Sequence, residues 1–191
     1  MSRHAELDQA ARRMADLVAA VPDDALDHPT PCEAYRVGDL LDHIGGGALA
    51  FTAAAVKKPL DPAPAGDADN LAPDWRTRIP RDVLGVAQAW REPETWTGMT
   101  AVGGVDLPAD MAGAVALDEL VIHGWDLAVA TGQAAAYDGP GLEGVHDTVQ
   151  QFRSSGIEGL FGPQVVVPDD APLLNRILGL AGRDPGWKPP A

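Results

Sequence analysis

The chain has 191 residues, a length that fills one domain of ordinary size rather than two. Its formal net charge of −14 argues against binding nucleic acid or docking on an anionic membrane, since both need a basic face. A single cysteine, Cys32, excludes an internal disulfide, no run of about 20 apolar residues is present to span a bilayer, and the first residues lack a signal-peptide core. The expectation is a soluble, cytoplasmic protein whose partners are small molecules or other proteins, a second copy of the chain (a homodimer) included.

In chain order, the first predicted helix covers residues 3–20, where Leu7, Ala11, Met14, Leu17 and Val18 form an apolar stripe opposite Arg12, Arg13 and Asp16. Pro22 ends it. Thr30-Pro31-Cys32-Glu33 has the form of a capping box with proline at the first helical position, a short turn feeding a longer helix over 37–56. Val37, Leu40, Leu41, Ile44 and Ala48 make the core stripe of that helix, with His43 on its flank. Gly45-Gly46-Gly47 follow directly, and glycines inside a helix cost roughly 1 kcal/mol each relative to alanine. Either ligand space one turn past His43 or a close helix crossing would offset that cost.

Residues 59–73 read as a surface loop, and a third helix is expected over 81–90. Residues 95–107, centred on Gly103-Gly104, read as a small β-hairpin or an irregular lid. The fourth helix, 108–130, begins with proline and stops before Gly132. A fifth helix over 141–154, a glycine-rich link, an extended run at 164–167 and a last helix over 171–181 complete an all-α bundle, a single domain spanning 1–191.

The fourth helix is apolar almost all round, yet Glu119 and His123 stand four residues apart on one face with Val115, Ala116 and Ile122, and Asp126 lies beside them. On an exposed helix such a pair is a surface contact worth a few tenths of a kcal/mol. On an apolar face the carboxylate needs a partner, and a metal ion bridging Glu119, His123 and a third ligand supplies one. Of the five histidines, His4 and His28 lie in polar surroundings and His146 in a moderately polar helix, whereas His43 sits at the edge of an apolar one. His43, Glu119 and His123 thus form a candidate set of two imidazoles and a carboxylate with an open position, the catalytic arrangement of zinc and part of an octahedral nickel, iron or manganese site. Asp126 is then a fourth ligand or the group that orients a histidine. Cys32 reads as a buried packing residue at a helix start, and the tryptophans as packing.

Thr30-Pro31-Cys32, Val37 and Asp39-Leu40-Leu41 leading to His43, the run from Glu119 to Leu127, Ala130-Thr131-Gly132 and the terminal Gly182-Arg183-Asp184-Pro185-Gly186-Trp187 together resemble a known family. It is that of the DinB-like metal-binding proteins of actinobacteria, related to the N-terminal domain of mycothiol-dependent maleylpyruvate isomerase. The resemblance covers most of the chain. It implies a four-helix bundle with short additional helices, in which His43, Glu119 and His123 hold a divalent metal, usually zinc. It also implies mycothiol, a low-molecular-weight thiol, as cosubstrate in transfer or isomerisation of a small electrophile. Two departures stand out: Tyr35 occupies a position where the family usually has tryptophan, and the isomerase has a second, C-terminal domain that this chain is too short to hold. Thiol S-transfer is therefore expected ahead of maleylpyruvate isomerisation. A non-catalytic metal- or small-molecule-binding bundle and a metal-dependent hydrolase are the alternatives that use the same residues.

Overall fold

Ser2 caps the first helix by accepting the Ala5 N–H, and α1 runs Arg3–Ala19, burying Leu7, Met14 and Val18. The computed structural model that shows this describes residues 2–61, 65–135, 137, 141–154 and 161–190. Helix α2 (Val37–Ala55) starts where the sequence places it, but by another device. The Asp39 carboxylate accepts the Arg36 N–H at 2.9 Å. Thr30 caps no helix; its hydroxyl accepts the Cys32 N–H at 3.1 Å and donates to the Tyr35 carbonyl at 2.8 Å. Thr30 therefore closes the turn that sets Cys32 and Tyr35 beside the start of α2.

Helix α3 (Trp75–Ala89) begins before Pro80 rather than after it, a correction to the expected 81–90. Proline lacks the N–H that would bond the Arg76 carbonyl, but Trp75 and Ile79 on the same turn are buried, and that burial outweighs the lost bond. Of the consecutive glycines Gly45-Gly46-Gly47 of α2, one faces α3: a Cβ on Gly45 would lie 3.2 Å from Ile79 Cγ1. Gly46 meets nothing within 4 Å, and none of the three borders the cavity described below. Gly45 thus serves a helix crossing, and the ligand space lies elsewhere.

Strands β1 (Met99–Val102) and β2 (Val105–Pro108) pair antiparallel, so the segment is a hairpin and not a lid. Gly103 and Gly104 both have positive φ, 59° and 80°, which suits the two-residue turn whose twist matches the strands. Thr100 pins the hairpin to the end of α2 by donating to the Ala54 carbonyl at 2.8 Å. Helix α4 (Ala109–Ala130) follows, then α5 (Gly141–Ser154) and α6 (Leu173–Leu180), the last shorter than expected. Residues 164–167 form no strand; the Val165 N–H bonds the Gly179 carbonyl at the end of α6.

The long helices pack in the cyclic order α1, α3, α2, α4, with α5 against α4 and α6 against α5. Leu7, Met14, Leu40, Leu41, Ile79 and Leu127 are fully hidden at the centre. Because α4 touches α1, α2, α5 and the hairpin, it is buried on almost every side, which explains its all-round apolar sequence. Among the described residues no helix is long and apolar enough to cross a membrane.

One glycine of α4 has a specific packing role. Tyr137 lies over Gly124 and donates its hydroxyl to the Leu120 carbonyl at 3.2 Å, and a Cβ at position 124 would collide with that hydroxyl. Gly124→Ala is expected to cost about 1–3 kcal/mol in urea unfolding. Gly144→Ala, where a Cβ meets nothing within 4 Å, is the control and should be neutral or stabilising.

Candidate metal centre

The packing of α2 on α4 brings the three candidate residues together. The Glu119 carboxylate oxygen Oε2 lies 3.2 Å from His43 Nε2 and 3.3 Å from His123 Nε2, and the two imidazoles meet edge to face with centroids 4.9 Å apart. All three donor atoms lie within 4.8 Å of one another. The His123 side chain is 10% exposed, against 31% for His43 and 40% for Glu119, so the cluster is closed behind His123 and open on the other side.

Each histidine is held from behind. Asp126, fully buried, places Oδ2 3.0 Å from His123 Nδ1. That contact assigns the Nδ1 proton and leaves Nε2 turned toward Glu119. Of the two roles open to Asp126, orientation is the one its position serves. Arg183 balances its charge from the C-terminal segment, with Nη2 3.0 Å from Oδ2 and Nε 3.3 Å from Oδ1. The Tyr35 ring stacks on His43 at 5.1 Å with its hydroxyl 3.5 Å from Nδ1. The loop after residue 64 lies over the same helix: Asp39 accepts the Ala68 N–H at 2.9 Å, Asp42 the Asp67 N–H at 3.2 Å, and Gly66 packs too close to His43 for any Cβ.

Cys32, His123 and Asp126 form a second close group. It suits a metal poorly, because Arg183 and the His123 N–H already engage both oxygens of Asp126. Contrary to expectation, Cys32 is only half-buried and stands in the wall of a cavity of about 870 Å³. The same cavity is bordered by His43, Glu119 and His123 and also by Phe152, Phe161 and Arg183. Its volume suits a small-molecule site. His28 is exposed and His146 faces Asp147, both away from the cluster, while His4, expected in solvent, is half-buried. Residues that the sequence left out of the site include Arg183 and Asp118, the latter 4% exposed and also in the cavity wall.

Burial and charge set the protonation of the cluster. Burial disfavours charge on His123, but Glu119 and Asp126 outweigh it and push the pKa up to about 10. Burial likewise raises Glu119, yet His123 and His43 together hold it below the usual carboxylate range. For Asp118 burial and the Glu119 charge act in one direction, well above the ordinary value. In metal-free protein the raised His123 contributes stability that is fully present below pH 6.5 and lost as pH rises through about 10. Glu119, shifted down, contributes stability present above its ordinary value and lost as pH falls. Calorimetry in chelator should therefore show the melting temperature falling from pH 6.5 toward 10, and this fall should be absent in His123→Ala.

A family model described as the mycothiol maleylpyruvate isomerase N-terminal domain matches residues 7–128, which include His43, Glu119 and His123. Two uncharacterized proteins of Mycobacterium tuberculosis, from strains CDC 1551 / Oshkosh and ATCC 25618 / H37Rv, are each 27% identical over 183 residues, 92% of this chain and 94% of their own. The crystal structure of the mycothiol-dependent maleylpyruvate isomerase matches with a TM-score of 0.72 at 18% identity, covering 96% of this chain and 89% of that one. A histidine-to-alanine mutant of that isomerase matches at 0.70 and 18% identity, covering 95% and 88%. The shared fold spans most of the solved isomerase chain, and on this side it takes in α5 and α6. The match over 7–128 is well over half of the chain, and the protein belongs to the family of the mycothiol maleylpyruvate isomerase N-terminal domain.

Proposed function

We propose that this protein uses a divalent cation held by His43, Glu119 and His123 to activate a low-molecular-weight thiol, mycothiol, for S-transfer to small electrophiles or for their isomerisation. The observation that carries the reading is the convergence of three donors from two helices on the open side of a cavity sized for a small molecule. Two imidazole nitrogens and a carboxylate suit zinc first, and nickel, iron or manganese by the same donors. Such a cation would supply Lewis acidity, lowering the pKa of the thiol so that a strong nucleophile exists at neutral pH.

The chain's own residues do the rest. Asp126 keeps the proton on His123 Nδ1, which leaves Nε2 free as a donor atom, and Arg183 neutralises Asp126 so that its charge is not left uncompensated. Tyr35 restrains the His43 ring. Phe152 and Phe161 give the cavity an apolar side that excludes water from the thiol. Because Asp126 is engaged behind His123, it does not close the open side, and this favours catalysis over a purely structural metal. The reading assigns the protein to the cytoplasm, where such thiols are kept reduced.

Incubating the metal-loaded protein with mycothiol and a fluorogenic electrophile tests the reading. Consumption of the thiol should exceed that with the chelated protein by more than about tenfold, a lower bound for loss of a Lewis acid worth several kcal/mol. Equal rates would count against it.

A further inference from the structure

Helix α4 presents two adjacent carboxyls to the same cavity, and among the described residues only Glu119 has hydrogen-bonding partners. Glu119 is turned to His43 and His123. Asp118 is 4% exposed, and its Oδ1 is buried without a hydrogen-bond partner. A buried acceptor with no partner destabilises a fold, and native proteins keep few of them. The nearby arginines are engaged elsewhere: Arg183 with Asp126 and the Ala181 carbonyl, Arg153 with the carbonyls of Leu180 and Gly162. Val115 and Ile122, one turn to either side on the helix, border the cavity with Asp118, so a polar group meeting it would do so among apolar neighbours.

We infer that Asp118 accepts a hydrogen bond from a hydroxyl of the ligand filling the cavity, and so selects a hydroxyl-rich thiol over a bare amino-acid thiol. The inference rests on the thiol reading above and adds to it a specificity-determining residue that holds neither the cation nor the sulfur. The division of labour follows from the geometry. The three clustered donors can recognise a sulfur but nothing beyond it, whereas Asp118 borders the cavity on the helix next to them; its Oδ1 is screened from solvent, so the carboxyl turns about its Cβ–Cγ bond toward the ligand to accept the bond. A site built to bond a hydroxyl rejects an analogue without one far more strongly than an apolar wall would, because the buried acceptor is then left unpaired.

The test compares mycothiol, an N-acetylcysteine carried on a hydroxyl-rich disaccharide-like body, with N-acetylcysteine alone. Dissociation constants for both are measured on metal-loaded wild type, Asp118→Leu and Asp118→Asn, with metal content and melting temperature of each. In Asp118→Leu, mycothiol affinity should fall about tenfold, the loss of one buried hydrogen bond, while N-acetylcysteine affinity and metal content stay unchanged. Relief of the unpaired acceptor should raise the melting temperature by about 2–4 °C. Asp118→Asn keeps a carbonyl acceptor and should hold mycothiol within about threefold of wild type. Unchanged mycothiol affinity in Asp118→Leu, equal weakening of both thiols, or a lower melting temperature would overturn the assignment. If wild type binds neither thiol, the thiol reading itself fails and the role of Asp118 falls with it, a result distinct from the other three.

Discussion

Replacing His43 with alanine is expected to lower the affinity for a divalent cation by more than about 100-fold, beyond the range seen when only an outer-shell partner is lost. His43 is the cleaner of the two histidine tests. It reaches the cluster from α2, is 31% exposed, and its loss leaves Glu119 still paired with His123. His123→Ala should lose the cation as completely. It also removes the bond to Asp126, although the Asp126 and Arg183 pair remains to satisfy both charges. Metal content by mass spectrometry, with affinities from competition against a chromophoric chelator, reads both variants. Equal metal in wild type, His43→Ala and His123→Ala would remove the site.

Asp126→Ala is expected to be the most damaging single change for the fold, at about 3–5 kcal/mol in urea unfolding of the metal-free protein. The carboxylate is fully buried and contacts Arg183 through both oxygens, so its removal leaves a guanidinium that is 8% exposed without its counter-charge. It also frees the His123 ring to turn, which should weaken cation binding by about 10–100-fold even in molecules that remain folded. Asp126→Leu combined with Arg183→Met removes both charges and should recover most of the stability but not the cation affinity. A loss below about 1 kcal/mol for Asp126→Ala would mean that the pair is solvated, contrary to its burial.

The legible part of the site was the part that helical periodicity exposes. Glu119 and His123 share a face, and an apolar helix turns such a pair into a question about burial; His43 answered it because it flanks the core stripe of α2. Asp126 was visible as a neighbour, but its role depended on Arg183, which arrives from the tail 57 positions away. No local pattern announces such a contact. Cys32 and Tyr35 reach the cavity through a turn closed by Thr30, where the sequence suggested a helix cap. Asp118 lies off the face that Glu119 and His123 share, and only the all-round apolar character of α4 signals that its face too is covered. In the fold, the hairpin was readable from Gly103-Gly104, whereas the start of α3 was not, since the buried Trp75 and Ile79 override the warning that Pro80 gives.

On the proposed reading, three donors from α2 and α4 hold a cation that then engages a thiol. Titrating the metal-free protein with cobalt(II), and then with mycothiol, tests it most directly. Cobalt absorption should saturate at one ion per chain and be lost in His43→Ala, and addition of the thiol should bring in an intense near-ultraviolet band from sulfur bound to the ion. Saturable cobalt binding that persists in His43→Ala, or a spectrum that the thiol leaves unchanged, would contradict it.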